Sequence, residues 1–268
     1  MVIADVALAR RLERAEAEAS RRFVETRARL QPDVGATWME VAGAYAMFDG
    51  AQSPLTQTFG LGLFDEVTDD HLATLESFFE SRGAAVHHEV SPLGPIDLQA
   101  RLARRGYTPV EFTSVLYQEL PRRRVTGSSD VAVTRVSDAD GQQRWAATAA
   151  AGWADVSADL ADFIGGIATV NAAAPGTAAF LATVDGLVAA SALLWIHEGV
   201  ALLAGASTVA ASRGRGAQRA LLDARLAAAA EAGCELAMMG AAPGSASQRN
   251  AEREGFRVAY TRMKWQRR

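Results

Sequence analysis

The chain has 268 residues, a formal charge of −4 and a single cysteine, Cys234. This length is enough for two domains of ordinary size, and the acidic balance gives no electrostatic reason to expect nucleic acid or an anionic membrane as a partner. One cysteine excludes an internal disulfide framework and favours a reducing, cytoplasmic compartment, while the use of arginine in place of lysine everywhere except Lys264 is typical of a GC-rich bacterial genome.

The N-terminal segment is predicted to be a helix and not a targeting signal. Residues 4–30 are rich in Arg, Glu and Ala, and their apolar residues recur at helical spacing. No basic stretch followed by an apolar core is present, so we expect no secretory signal, and no apolar run elsewhere reaches the length of a membrane span. The spacing predicts an amphipathic helix whose charged face is solvated.

The rest of the first half alternates between strand and helix patterns. The predicted elements are strands at 36–48 and 56–64, a helix at 69–81, a strand at 84–90, a short helix at 95–105 and a strand at 110–119. His87 and His88 are adjacent on one strand and therefore point to opposite faces, and no zinc-binding spacing occurs, so we expect no metal. A charged, Gly- and Ser-containing stretch, Pro121–Asp130, is predicted to be a linker. Its three adjacent arginines have no interleaved aromatic residues, which argues against a nucleic-acid site.

The second half begins with a predicted antiparallel meander. Asp185-Gly186 is a strong hairpin signal, and His197-Glu198-Gly199 reverses the chain again. The strands are predicted at 180–183, 187–196 and 200–209. The last of them enters the turn SRGRGAQ, which opens the helix ALLDARLAAAAEA. Free backbone N–H groups, the helix dipole and two arginines converge there, which suits a pyrophosphate.

This turn carries a family resemblance. Arg213-Gly214-Arg215-Gly216-Ala217-Gln218 resembles the R/Q-x-x-G-x-G/A motif of the GNAT acetyltransferase superfamily, and the order of elements over residues 130–268 is similar to the GNAT core. The resemblance implies that acetyl-coenzyme A is the co-substrate and that the six residues of the turn surround its pyrophosphate. It also implies main-chain contacts from Ser207 and Val209 to the pantetheine arm. Gln218 departs from the motif, which prefers Gly or Ala.

The resemblance leaves the acid and the base of the reaction open. Ala251 stands where many GNAT enzymes carry a tyrosine, and Asn250 lies beside it. Either Asn250 orients the coenzyme, or water donates the proton, or no dedicated acid exists. The strand at 200–209 contains no Glu, so His197 and Glu198 are the candidate base, with an ordinary exposed turn as the alternative. Tyr260 is predicted to be a packing residue.

Other candidates lie in the segment that, in this superfamily, forms the helix pair over the acceptor. Trp153, Asp155 and Asp159 are candidate acceptor contacts, and a helix cap is the alternative role for Asp155. Cys234 lies in an apolar strand pattern, so we expect a buried, inert thiol there and not a nucleophile.

The chain also resembles itself. A shift of 150 residues aligns Gly83 with Gly233 and brings Gly106 within one residue of Gly255, which predicts two copies of one domain. We expect an α/β (α+β) protein of two GNAT-like domains, 1–124 and 128–268, each with a mixed, mostly antiparallel sheet flanked by helices. In the first copy the phosphate turn is replaced by GLFDEVTDDH, whose carboxylates would repel a pyrophosphate. These carboxylates are Asp65, Glu66, Asp69 and Asp70.

The leading interpretation is a monomeric or homodimeric N-acetyltransferase that transfers an acetyl group from acetyl-coenzyme A to a small amine or amino-acid-like metabolite by direct attack. Two alternatives stay open. One is a non-catalytic acyl-coenzyme A binding protein, and the other is an acyltransferase that uses another acyl group or a hydroxyl acceptor.

Overall fold

A computed structural model describes residues 2–121 and 131–267 of the chain. The predicted linker therefore lies, apart from Pro121, outside the described residues. The chain divides into two compact units, one formed by Met1–Gln118 with Met238–Arg268 and the other by Glu119–Ala237.

The described residues form a mixed α/β structure, as the sequence predicts. In chain order the elements are α1 (Val6–Leu30), β1 (Thr37–Val41), β2 (Ala44–Phe48), β3 (Gln57–Phe59), α2 (Asp69–Glu80), β4 (Val86–Val90), α3 (Ile96–Arg104), β5 (Thr108–Glu119), β6 (Val131–Arg135), α4 (Ala139–Ala151), α5 (Ala158–Ala173), β7 (Ala178–Val184), β8 (Leu187–His197), β9 (Val200–Thr208), α6 (Ala217–Glu231), β10 (Leu236–Ala241), α7 (Ala246–Arg253) and β11 (Arg257–Arg267).

Two of the predicted strands differ from the structure, and glycines explain both differences. The predicted strand at 36–48 is a hairpin of β1 and β2, because Gly43 adopts a φ of +71° that makes a tight turn. The predicted strand at 56–64 ends at Phe59, because Gly60 and Gly62 adopt φ values of +76° and +79°. The remaining predicted segments are present with small shifts of their ends.

The sheet of the first unit includes a strand from the far end of the chain. Its strands lie in the order β1-β2-β3-β4-β11-β5. Neighbouring strands are antiparallel except for the parallel pair of β3 and β4. Because β11 pairs with both β4 and β5, residues 238–268 belong to the first unit, whereas the predicted boundaries place them in the second domain.

Helix α1 is amphipathic, but part of its charged face is buried. Glu13 and Glu18 are 1 % and 9 % exposed, which corrects the prediction of a fully solvated charged face. Glu13 lies 3.2 Å from Arg262 of β11, which also contacts Glu16 at 2.6 Å and Glu89 at 3.1 Å. The burial of these charges is tolerated because they are paired.

Burial in this cluster favours the protonated form of one carboxyl group. Desolvation raises the pKa of Glu13 to about 7, and the hydroxyl of Tyr260 donates a hydrogen bond of 2.9 Å to its Oε1. Tyr260 is thus a buried packing residue, as predicted. Lys264 lies 3.6 Å from Glu89 and 2.7 Å from Glu111, so the carboxylates of the cluster outnumber its two cations, and this excess also favours the protonated form of a buried carboxyl.

In the second unit the strands lie in the order β9-β8-β7-β6, and every neighbouring pair is antiparallel. Helices α4 and α6 pack on these strands, and α5 packs on α4. Trp145 of α4 is 1 % exposed and packs with Ala149, Leu181 and Leu193. This core positions the end of β9 and the start of α6.

The order of three strands, helix, strand, helix and strand occurs twice along the chain, first over β1 to β5 and again over β7 to β11. That the two series are copies of one domain remains a prediction.

Two further expectations concern membranes and metals. Within the described ranges no helix combines the length and apolar character that crossing a bilayer requires. The same residues contain no group of three or more His, Cys, Asp or Glu side chains placed to hold a metal ion.

Candidate functional site

The predicted phosphate turn is an open corner between β9 and α6. A 3₁₀ helix, Ala210–Ser212, follows β9, and the turn from Arg213 to Gly216 then leads into α6. Gly214 and Gly216 have φ values of +76° and +81°, a conformation that glycine adopts without strain. A Cβ atom at either glycine would have no protein atom within 4 Å. The space beside both glycines is therefore open.

The start of α6 is not capped by any side chain. Its N-cap residue is Gly216, no side chain accepts a hydrogen bond from the first turn, and that turn contains no acidic residue. Ala217, the first helical residue, is buried and fixes the helix against its unit. The first N–H groups of a helix have no partner inside the helix and carry its positive dipole end, so this helix start suits an anion.

Both arginines of the turn already bind carboxylates. Arg213 donates to both carboxylate oxygens of Asp155, at 2.6 and 2.8 Å, and to the carbonyl oxygen of Gly152 at 2.9 Å. These hydrogen bonds lower the pKa of Asp155. Arg215 donates to Asp185 at 2.7 Å. The two guanidinium groups are about half exposed, 48 % and 47 %, so a stronger anion can reach them.

Asp155 is not a helix cap. Ser157 is the N-cap of α5, and its hydroxyl accepts the hydrogen bond from the N–H of Leu160. Ser157 is two residues closer to the helix, where its side chain reaches the free N–H groups, so the capping alternative for Asp155 is wrong. The carboxylate of Asp155 instead ties the connection between α4 and α5 to the phosphate turn.

Gln218, which stands where the motif prefers Gly or Ala, uses its side chain to hold the end of β9. Its amide nitrogen donates to the carbonyl oxygen of Ser207 at 2.9 Å and to the hydroxyl of Thr208 at 2.6 Å. The hydroxyl of Ser207 donates to the carbonyl of Ala149. The backbone N–H of Val209 donates to Ala189, and its carbonyl accepts from Ser212. The predicted pantetheine contacts of Ser207 and Val209 thus involve groups with partners inside the unit, and they remain predictions.

The connection between α4 and α5 lies close to the end of β9. A Cβ atom at Gly152 would come within 3.0 Å of the backbone nitrogen of Thr208 and would overlap the hydroxyl of Ser207. Trp153 is 39 % exposed, and Asp159 is exposed in the first turn of α5. The structure therefore brings the predicted acceptor segment to the phosphate turn through Gly152 and Asp155.

The predicted base candidates, His197 and Glu198, lie away from the phosphate turn, and the predicted acid candidate, Asn250, belongs to the other unit. His197 ends β8, and Glu198, whose side chain is 83 % exposed, forms the turn to β9 with a φ of +43°. This turn is at the opposite end of β9 from the phosphate turn. Asn250 is an exposed residue of α7, which belongs to the first unit. The catalytic roles of these three residues remain predictions.

Cys234 is buried, and desolvation raises the pKa of its thiol. A buried thiol that resists ionisation is a poor nucleophile. The prediction that Cys234 is buried is confirmed, and its inertness remains a prediction.

One buried residue of the site was missed from the sequence. Arg225 of α6 is 4 % exposed and donates to the carbonyl oxygens of Leu193 on β8 and Ala204 on β9. The sequence signal that could have identified it is an arginine inside the apolar run LLDARLAAAA. A charged residue is unexpected on the buried face of an apolar helix, so it indicates a specific partner.

The equivalent corner of the first unit, between β3 and α2, is closed. Thr68 caps α2 in a capping box with His71, and the first turn of the helix carries Asp69 and Asp70. Phe64 fills the space beside Gly43 and Gly60, and the guanidinium of Arg14 lies 4.1 Å from its ring centroid.

Comparison with known proteins gives a fold and no closer relationship. No family model matches the sequence, and no curated protein matches it. Among solved structures, a GCN5-related N-acetyltransferase from Kribbella flavida is 22 % identical, with a TM-score of 0.63 over 90 % of this chain and 93 % of that one. A GCN5-related N-acetyltransferase from Sphaerobacter thermophilus is 16 % identical, with a TM-score of 0.56 over 79 % and 71 % of the two chains.

A tandem GNAT protein from the clavulanic acid biosynthesis pathway is 13 % identical, with a TM-score of 0.55 over 85 % of this chain and 78 % of that one. Identities of this size establish similarity of fold and not of substrate. Together with the open glycine turn at the start of α6, these similarities show that the chain has the fold of the GCN5-related N-acetyltransferases.

Proposed function

We propose that this protein is an acetyltransferase that binds acetyl-coenzyme A at the corner between β9 and α6 and transfers the acetyl group to the amine of a small molecule. The observation that carries the proposal is that α6 starts without a side-chain cap. The turn before it contains two glycines with positive φ and two half-exposed arginines. Such a combination attracts an anion by dipole, by backbone N–H groups and by charge.

The residues of the turn have separate parts in this proposal. The backbone of Gly214, Gly216, Ala217 and Gln218 surrounds the pyrophosphate. Arg213 and Arg215 exchange their carboxylate partners, Asp155 and Asp185, for phosphate oxygens. The pantetheine arm lies along β9 beside Ser207 and Val209. Because the partners present now are exposed carboxylates, the exchange costs little.

The chemical step is attack of the neutral amine nitrogen on the thioester carbonyl carbon. The C–N bond forms, the C–S bond breaks, and the coenzyme leaves as a thiolate that takes up a proton. The nitrogen loses its extra proton to a base, and His197 with Glu198, acting through water, is the candidate pair. Trp153, Asp155 and Asp159 are the proposed acceptor contacts, since an exposed aromatic ring beside carboxylates suits a cationic amine.

The direct test is to measure acetyl-coenzyme A binding by calorimetry and the release of free coenzyme A with a panel of primary amines. We expect binding together with amine-dependent release. Binding without release for any acceptor would instead support a non-catalytic acyl-coenzyme A binding protein. Release with alcohols and not with amines would support a hydroxyl acceptor, and absence of binding would overturn the proposal.

A matched pair of variants tests the role of Asn250. Asn250→Ala should lower turnover or coenzyme affinity, whereas Cys234→Ser should mainly affect thermal stability because the thiol is buried. Selective inactivation of the folded enzyme by alkylation at Cys234 would reverse this ranking.

A further inference from the structure

Arg225 is a buried cation without a counter-ion. Its side chain is buried in the middle of α6, and among the residues that the structure describes no charged group offsets its desolvation. Desolvation lowers the pKa of its guanidinium to about 10. A buried charge of this kind disfavours folding, and an apolar side chain of similar size is often at least as stable. Packing alone therefore does not account for an arginine at this position.

Arg225 donates to the carbonyl oxygen of Leu221 in its own helix, and its other two partners are carbonyl oxygens at an irregularity in the sheet. Its Nη1 lies 3.1 Å from the oxygen of Leu193 and 3.4 Å from that of Ala204. These two residues face each other across β8 and β9, and the next matched pair is Ser191 with Ser207. One residue of β8 thus stands opposite two residues of β9, which is a β-bulge. Gly205 begins it with a φ of +59°.

The longest of these contacts, at 3.4 Å, involves the peptide group at the start of the bulge. The carbonyl of Ala204 and the N–H of Gly205 belong to the same planar trans peptide and point in opposite directions. A cation that binds the carbonyl polarises the peptide and makes its N–H a stronger donor. The N–H of Gly205 therefore points away from Arg225. It lies at the bulge of β9, the strand along which the proposed function places the pantetheine arm.

We propose that Arg225 is a positioning residue for acetyl transfer: it fixes and polarises the Ala204–Gly205 peptide, so that the backbone N–H that the family resemblance implies at the thioester carbonyl oxygen is that of Gly205. This inference rests on the proposed function. During attack the carbonyl oxygen gains negative charge, and a backbone donor held in place stabilises that charge more than the ground state. Arg225 itself does not touch the substrate.

The test compares Arg225→Met and Arg225→Lys with Arg219→Met, which removes a charge from an exposed position of the same helix. Removal of one such donor typically costs about 100-fold or more, and loss of its polarisation alone should lower kcat by about 10-fold. We expect this fall in Arg225→Met with a nearly unchanged KM for acetyl-coenzyme A and no fall in Tm. Arg225→Lys should recover part of kcat, and Arg219→Met should leave kcat unchanged.

A spectroscopic measurement separates this role from a structural one. The carbonyl stretch of bound, ¹³C-labelled acetyl-coenzyme A should lie at a higher frequency in Arg225→Met than in the unaltered protein, because the hydrogen bond to the oxygen is weaker. If Arg225→Met does not fold, Arg225→Lys must show a smaller shift of the same sign.

Unchanged kcat, or a loss of kcat that follows Tm with no change in the carbonyl frequency, would overturn the role of Arg225 alone. Failure of the unaltered protein to bind acetyl-coenzyme A would overturn the proposed function together with it.

Discussion

The corners between β3 and α2 and between β9 and α6 occupy the same place in the order of elements, yet their chemistry is opposite. At the first corner the helix is capped by Thr68 and carries Asp69 and Asp70 in its first turn. At the second corner the helix starts at Gly216, with no cap and no acidic residue. One helix start is satisfied by its own chain, and the other has donors left for a ligand.

The arginines of the two units differ in the same way. Arg262 in the first unit is buried among Glu13, Glu16 and Glu89, where its charge is part of the packing. Arg213 and Arg215 in the second unit are half exposed, and each has a carboxylate partner that is itself exposed. Buried pairs are costly to break, whereas exposed pairs exchange readily. Burial of the pair therefore separates structural arginines from those that can take a ligand.

The largest expected effect tests whether the open corner works without the first unit. A fragment of residues 128–268 should be insoluble or unfolded, because β11 loses β4 and β5 as partners and Arg262 loses Glu13, Glu16 and Glu89. Soluble yield and circular dichroism, with the full chain as control, measure this. A soluble fragment with full activity would show that the first unit is dispensable.

The next effect concerns the number of coenzyme sites. Calorimetry should give one site per chain, and Gly216→Asp should weaken binding at least 100-fold, because a carboxylate then faces the phosphates. Two like charges about 4 Å apart repel by about 1 kcal/mol in water and by several times more in a partly buried cleft. The variant should keep the circular dichroism spectrum of the unaltered protein, because a Cβ atom at Gly216 meets no protein atom and the strain of an Asp at a φ of +81° is confined to the turn. Two equivalent sites per chain would abolish the contrast between the corners.

A smaller effect tests the buried cluster of the first unit. The pKa of Glu13 is about 7 in the folded protein, above the ordinary value of about 4.5, so the folded state binds the proton more tightly. Its contribution to stability is complete below about pH 4.5 and is lost as the pH rises to about 7, by about 1–3 kcal/mol. Glu13→Gln should flatten this fall in urea unfolding between pH 5 and 8. The matched variant Glu80→Gln, at an exposed ion pair, should leave the fall in stability unchanged. Identical profiles for Glu13→Gln and the unaltered protein would contradict the raised pKa of Glu13.

The smallest effect concerns the carboxylates that hold the two exposed arginines. Asp155→Asn and Asp185→Asn should each tighten coenzyme binding about two- to fivefold, because each removes a weak competitor for a guanidinium. Only Asp155→Asn should also raise KM for the acceptor amine. Equal effects of both variants on the acceptor would contradict the assignment of Asp155 to the acceptor segment.

Local patterns were enough to predict the elements and the open turn. The phosphate turn depends on glycines and a helix start within a few residues of one another, so its sequence pattern and its structure coincide. The buried Glu13 was predicted to be solvated, because its partner Arg262 is 249 positions away and no local period reveals it. The pairing of β11 with β4 and β5 was missed for the same reason, as was the contact of Asp155 with Arg213.

The position of β11 has a consequence for the synthesis of the protein on the ribosome. β5 ends at Glu119 and β11 begins at Arg257, so at about 5–20 residues per second β5 is made roughly 7–28 s before its partner. Over that interval β4 and β5 lack the strand that separates them, and unpaired strand edges favour aggregation. The first part of the chain to be translated is thus among the last to complete its fold, and a nascent chain that stops before residue 257 leaves that unit unfinished.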